Sequence, residues 1–290
     1  MYSLLNSVKR KISRLLGLRL SSAPFISGDS FRAIADHVFE EDFFRFDPKN
    51  LGGIVFCETH LLGKFIEEVL PSFSSPFILI THNSDHGVET NLHQLTESPF
   101  LIHWYAQNCT LAHKKLTTIP IGLENRWFYH NGVVEDFFRL RKFLPNIAKK
   151  SRILWGFSIE TNPIERSEAA RVLVEHSFAD PIALPPDKYR EHLAQYMFVA
   201  SPAGNGIDCH RTWEALYLDT LPIVVGKTFY DAFPNFPGLI LDDWNQLLKL
   251  DMAELECIYR DKYPTIKEFM MLWFPYWEQE ILNKTLSTSP

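Results

Sequence analysis

Phe198-Val199-Ala200-Ser201-Pro202-Ala203-Gly204-Asn205-Gly206-Ile207-Asp208-Cys209-His210-Arg211-Thr212-Trp213-Glu214-Ala215-Leu216-Tyr217 is an apolar run, a Gly-Asn-Gly loop and a helical pattern in succession. A buried strand that feeds a helix through a glycine loop is the unit from which parallel α/β sheets are built. Gly204 and Gly206 permit positive φ and close backbone approach, so amide N–H groups around Asn205 can converge on an anion at the helix start. Asp208 and His210 stand at that start. Arg211, in the first turn of a helix expected over 208–218, carries a planar fork suited to a diphosphate. Glu214, three residues on, can accept hydrogen bonds from two ribose hydroxyls. The same spacing admits a plain i,i+3 ion pair between Arg211 and Glu214 on a solvated helix. Trp213 and Leu216 fall on another side and are expected in the core.

The same grammar extends in both directions. Downstream, strands are expected at 222–225 and 239–241, with Lys227 beyond the first of them, and aromatic-rich helical sequence over 266–282. Upstream, a strand over 152–157 leads into Thr161-Asn162-Pro163-Ile164-Glu165-Arg166. Asn162 sits where an N-cap belongs, Pro163 at the first helical position and Glu165 three residues after the cap. A strand that runs into a capped helix start is a good anion site, with Arg166 on its first turn. If a phosphate ligand is to be held, Arg166 is a second candidate after Arg211 and Lys227 a third. In the first half, strands are expected at 53–57, 77–81, 101–106 and 117–121, with a helix over 61–70. Residues 131–151 read as a helix and connector. The economical organisation is α/β: a basic amphipathic helix over 1–22, then two Rossmann-like domains over 23–150 and 151–290 facing a cleft.

Composition narrows the function. A hydrophobic content of 46% over 290 residues is enough for two cores, and 29 Lys+Arg against 35 Asp+Glu disfavours nucleic acid as a partner. Four cysteines, Cys57, Cys109, Cys209 and Cys257, lie far apart without a C-x-x-C pair, as expected of reduced thiols in a cytoplasmic chain without a zinc site. No apolar run reaches the length of a spanning helix. Leu4, Leu5, Val8, Ile12, Leu15 and Leu16 recur at helical spacing among Lys9, Arg10, Lys11 and Arg14. Such a helix suits either peripheral contact of residues 1–20 with the anionic inner face of a membrane or packing on the domain through its leucines.

Residues 198–225, from the strand through the loop and helix to Leu221-Pro222-Ile223-Val224-Val225, resemble the donor-binding signature of exostosin-like glycosyltransferases, with a weaker echo in Leu239-Ile240-Leu241-Asp242-Asp243-Trp244. Ala203 departs from the basic residue common at its place. The resemblance implies the two-domain GT-B fold, with the nucleotide held mainly by the C-terminal domain and the acceptor by the N-terminal one. It implies inversion at the anomeric carbon, no metal and no cofactor, the nucleotide-sugar being donor substrate and a glycan or lipid-linked molecule the acceptor. In that chemistry the leaving diphosphate gathers negative charge, which a helix N-terminus with an arginine can stabilise. Arg211 is then assigned to the pyrophosphate, Glu214 to the ribose, and the backbone of Gly204, Asn205 and Gly206 to phosphate or sugar.

An inverting transfer also needs a base on the attacking hydroxyl. Thr81-His82-Asn83-Ser84-Asp85-His86-Gly87, beyond the end of a strand, offers Asp85 first, then His86 and His82; the loop reads equally well as turn and cap chemistry. Asn83, Trp104, Gln107 and Asn108 are candidates to line an acceptor pocket, with the strand core as the alternative for the aromatic. Two rivals remain at the level of sequence: a metal-dependent phosphoesterase built on His82, Asp85 and His86, and a non-catalytic nucleotide- or glycan-binding module.

Overall fold

A computed structural model describes residues 20–40, 43–45, 52–88, 92–126 and 131–286. The amphipathic helix expected over 1–22 therefore lies outside the described residues, apart from residues 20–22, which are not helical. The fold is α/β, and the chain forms two compact units: among the described residues, 20–121 with 273–286, and 122–272. The division falls between Ile121 and Gly122, not near residue 150. The reason lies in contacts distant in sequence: the helix Val134–Arg141 is tied to the helix Pro186–Leu193 by Arg190–Asp136 (3.0 Å) and Arg139–Glu191 (3.2 Å) contacts, so this stretch belongs with the second sheet.

The first unit is a six-stranded sheet, β1 His37–Glu40, β2 Phe43–Arg45, β3 Gly53–Glu58, β4 Phe77–His82, β5 Leu101–Gln107 and β6 Leu116–Ile119, in the order β2-β1-β3-β4-β5-β6. Only β2 runs antiparallel. Parallel strands are covered on both faces, which is why Phe77-Ile78-Leu79-Ile80 is apolar without alternation. The parallel strands follow one another along the sheet in chain order, so right-handed crossovers deliver their helices to a single face. There Leu62 and Phe65 of α2 (Leu62–Glu68) and Leu95 of α3 (Leu92–Thr96) join Val55, Cys57, Leu79, Trp104 and Ala106 in one core. The opposite face is closed by α1 (Gly28–Ala33) and the C-terminal helix Phe274–Leu286: Phe31 meets Phe274 edge-on at 5.4 Å, and the Tyr105 hydroxyl donates to the Glu280 carbonyl.

The second unit is a five-stranded parallel sheet: β7 Lys150–Trp155, β8 Ala179–Pro181, β9 Tyr196–Ala200, β10 Leu221–Val225 and β11 Leu239–Leu241, in the order β11-β10-β9-β7-β8. Its helices are α4 Val134–Arg141, α5 Pro163–Glu175, α6 Pro186–Leu193, α7 His210–Tyr217, α8 Lys227–Tyr230 and α9 Met252–Glu268. The chain leaves β7 for β8 on one side and returns to β9 on the other. The crossover direction therefore reverses between β7 and β9, the position at which doubly wound sheets bind their ligands. Trp213 and Leu216 are fully buried, as their place on α7 requires. The helix expected over 266–282 is two helices: α9 ends at Glu268 in the second unit, and Phe274 begins a helix of the first. Among the described residues no helix is long and apolar enough to cross a membrane. None of the four cysteines is in a disulfide, and Cys57 and Cys109 are buried.

Candidate functional site

The reversal between β7 and β9 puts two loops side by side in the second unit: residues 156–162 after β7 and 201–209 after β9. Asn162 is the N-cap of α5, its Oδ1 accepting from the Glu165 amide (3.3 Å), and Pro163 opens the helix. The Asn162 amide nitrogen donates to the Gly204 carbonyl at 3.2 Å, so the cap also holds the second loop. Glu165 does not close a capping box; its Oε1 accepts from the Ala203 amide (3.1 Å) and the Trp244 indole (3.2 Å). Ser201 Oγ bridges Cys209 Sγ (3.1 Å) and Thr212 Oγ1 (2.8 Å), pulling the far end of the loop onto α7.

Two arginines converge on this frame. Arg166, mostly buried in the first turn of α5, donates from Nε to the Ala203 carbonyl (2.9 Å) and from Nη1 to the Ser158 carbonyl (2.8 Å). Arg211, in the first turn of α7, donates from Nε to the Tyr189 hydroxyl (3.1 Å) and from Nη2 to the Gly156 carbonyl (2.8 Å). Both guanidinium carbons lie 5.8 Å from the centre of the Phe157 ring. Each arginine is fastened along one edge, and neither Nη2 of Arg166 nor Nη1 of Arg211 has a protein partner among the described residues. Burial, reinforced by the charge of Arg211 and opposed by Cys209 and Glu165, lowers the pKa of Arg166. Two guanidiniums at the end of a sheet, each with an amine left over, have the chemistry to receive an anion with more than one charged oxygen. Cys209, the N-cap of α7, supplies no side-chain cap, so the positive end of that helix is not closed by its own side chain.

The remaining expectations for this loop are modified by its geometry. Neither Gly204 nor Gly206 has positive φ; among the described residues the glycines that do are Gly53, Gly122 and Gly226. Gly204 lies close to Arg166 instead: a Cβ there would sit 3.0 Å from Nη2, so the guanidinium would have to give by a few tenths of an ångström. The Gly204 amide is spent on the Gly206 carbonyl (3.2 Å). Asp208 is buried, and its Oδ2 accepts from the fully buried Trp213 indole at 2.8 Å. A buried indole N–H demands such an acceptor. His210 turns to Gly122 and Glu124, its Nδ1 2.8 Å from the Gly122 carbonyl and its Nε2 3.3 Å from Glu124 Oε2. Burial alone would lower its pKa, but the hydrogen bond and charge of Glu124 outweigh this and raise it to about 9. Glu214 makes no ion pair with Arg211; it faces Arg190 Nε at 3.7 Å. Asn205 and Lys227 are exposed, Lys227 following Gly226 at the end of β10.

At the carboxyl ends of the first sheet, residues expected to act on an acceptor divide into two groups. Trp104 belongs to the core: strand alternation places it with Ala106 under α2 and α3, and its indole donates to Thr81 Oγ1 at 2.9 Å. His82 is also interior. Its Nδ1 accepts from the Asn83 amide (2.8 Å), and its Nε2 lies 3.2 Å from the Pro120 carbonyl. With both ring nitrogens engaged it is neither base nor metal ligand as it stands, which removes one leg of the His82, Asp85, His86 metal reading. Among the described residues no group of three or more His, Cys, Asp or Glu is placed to hold a metal ion. Asp85 and His86 are exposed in the loop after β4, whose Asp85 carbonyl is anchored by Asn108 Nδ2 at 2.7 Å. Asn83 and Asn108 end their strands with left-handed backbones, φ 62° and 56°. Gln107, 1% exposed, has both side-chain polar atoms without a partner.

Sequence reading did not find Phe157, Tyr189 and Arg190. Phe157 was hidden because the strand was taken to run through it; β7 stops at Trp155, and Gly156-Phe157 is the first turn outside the sheet. Nothing local in Tyr189-Arg190 marks them, since their partners lie 22 and 24 residues away on α7. Comparison of the chain with protein-family models and with curated proteins finds no match.

Proposed function

We propose that the chain is a glycosyltransferase that takes a sugar from a nucleotide-sugar donor with inversion and without a metal, in a two-domain GT-B arrangement. The observation that carries this reading is the pair of half-spent guanidiniums, Arg166 and Arg211, at the β7/β9 reversal, where a doubly wound sheet puts its ligand. A diphosphate leaving group places two or more anionic oxygens within reach of such a pair. As the glycosidic bond breaks, charge grows on those oxygens, and donors already fixed by protein carbonyls meet it without reorganising. Phe157 offers its ring to both cations, each guanidinium carbon 5.8 Å from its centre. Lys227 is a further cation for the phosphates, and Glu214 the acid for the ribose. On the acceptor side Asp85 is the base of choice and His86 the next, with Asn83, Gln107 and Asn108 as contacts for a glycan or lipid-linked acceptor. Peripheral attachment to the inner membrane face through residues 1–20 completes the proposal.

A thermal-shift panel of UDP-, GDP-, CMP- and dTDP-sugars in the presence of a chelator tests it. One class of donor raises the melting temperature by several degrees at a hundredfold excess over its Kd, where ligand binding contributes about 2.7 kcal/mol. A panel without any stabilising member contradicts the reading. Donor turnover that vanishes in chelator and returns with a divalent ion contradicts its metal-free form.

A further inference from the structure

Arg211 and Glu214, the two residues of α7 to which donor contacts are assigned, are each held by a residue of one neighbouring helix, and those two residues are adjacent in sequence. Tyr189 accepts from Arg211 Nε at 3.1 Å, and Arg190 Nε faces Glu214 Oε1 at 3.7 Å. We infer that α6 is the positioning element of the donor site, Tyr189 setting the plane of Arg211 and Arg190 the place of Glu214; this rests on the donor reading above.

The geometry accounts for how it does so. A guanidinium is planar, so anchoring Nε to Tyr189 and Nη2 to the Gly156 carbonyl fixes its plane and aims Nη1. The Tyr189 hydroxyl stays protonated at neutral pH, burial pushing its pKa up to about 12. Arg190 is itself immobilised, only 1% exposed, donating from Nη1 to Asp136 Oδ2 at 3.0 Å and from Nη2 to the Asn131 carbonyl, with its guanidinium carbon 5.3 Å from the centre of the Phe137 ring. At 3.7 Å its contact with Glu214 is one of charge and not a hydrogen bond, so the carboxyl group keeps its acceptor capacity for a ligand. Helix α4 thus braces α6, and α6 braces the α7 residues. A tyrosine beside an arginine at the middle of an eight-residue helix satisfies both tasks because successive side chains there point about 100° apart.

The experiment is calorimetric titration of the full chain, in chelator, with inorganic pyrophosphate and with UDP, GDP, dTDP and CMP. Tyr189→Phe removes one hydroxyl and retains the ring; leaving Arg211 Nε without its acceptor lowers the melting temperature by a few degrees, and the chain stays folded. The substitution weakens pyrophosphate about tenfold, the value of a hydrogen bond to a charged group. Arg190→Lys keeps a charge but not the fork; it weakens the best-bound nucleotide about fivefold while pyrophosphate changes less, because the ribose contact and not the phosphate contact is disturbed. Wild type that binds while Tyr189→Phe binds pyrophosphate equally well overturns the inference alone. A loss of binding in Tyr189→Phe that only tracks a collapse in melting temperature likewise overturns it. Wild type that binds none of the five probes overturns the donor reading and the inference together.

Discussion

Residue type and helix position alone proposed Arg211 for a phosphate, while the two oxygens that hold its guanidinium, on Tyr189 and Gly156, are announced by no local pattern. His210, next to it, was read as a donor contact and is instead clamped to Glu124 and the Gly122 carbonyl. That clamp has a pH signature. Unfolded, a histidine titrates near ~6.5; folded, His210 titrates at about 9. Between these values the folded chain holds the extra proton, so the stabilisation is fully present below about pH 6.5 and is lost as pH rises through about 9. Lys149, whose pKa burial lowers to about 7, works in the opposite sense, and cancels when wild type is compared with Glu124→Gln. The gap in melting temperature between those two proteins is expected to be widest near pH 6 and to close towards pH 10. A gap independent of pH across that range contradicts the assignment.

At the scale of elements, one helix start was legible to the residue, while those of α1, α6 and α9 were not read, although Asp251 and Glu254 close a capping box at the start of α9. Asn162-Pro163 announced α5 to the residue because a cap and a proline are local chemistry. β1, β2 and β8 were missed because each carries a charged residue or histidine among its three or four residues, unlike the equally short β6 and β11, and β8 ends in proline. Asn162 carries two tasks, capping α5 and holding the Gly204 carbonyl. Asn162→Ala is therefore expected to cost about 1 kcal/mol of stability, or roughly 2–4 °C in Tm, as a lost cap does. It should also weaken nucleotide binding, because the loop that seats Arg166 loses a tether. Denaturation and titration of the same variant check both effects; a fall in Tm with unchanged affinity would show that the cap does not support the site.

For the whole molecule, alternating strand and helix patterns gave the α/β class and two sheets, while the path of the chain between them was not legible. Residues 131–150 join the second unit through Arg190 and Asp136, and 273–286 return to the first, both through contacts distant in sequence. Phe274, Trp277 and Ile281 of the C-terminal helix are buried. Removing three such side chains forfeits roughly 4–9 kcal/mol, comparable with the whole stability of a domain. A chain ending at Leu272 is expected to lose protection from proteolysis across residues 20–121 while 122–272 stays resistant. Equal protection of both segments would mean that the C-terminal helix is dispensable to the first sheet.

The site itself asks for one direct measurement: a crystal structure of the chain with the nucleoside diphosphate that stabilises it best. The diphosphate oxygens are expected within hydrogen-bond distance of Arg166 Nη2 and Arg211 Nη1, beside Phe157 at the carboxyl ends of β7 and β9. A diphosphate bound elsewhere, with those two amines still unengaged, would contradict the account.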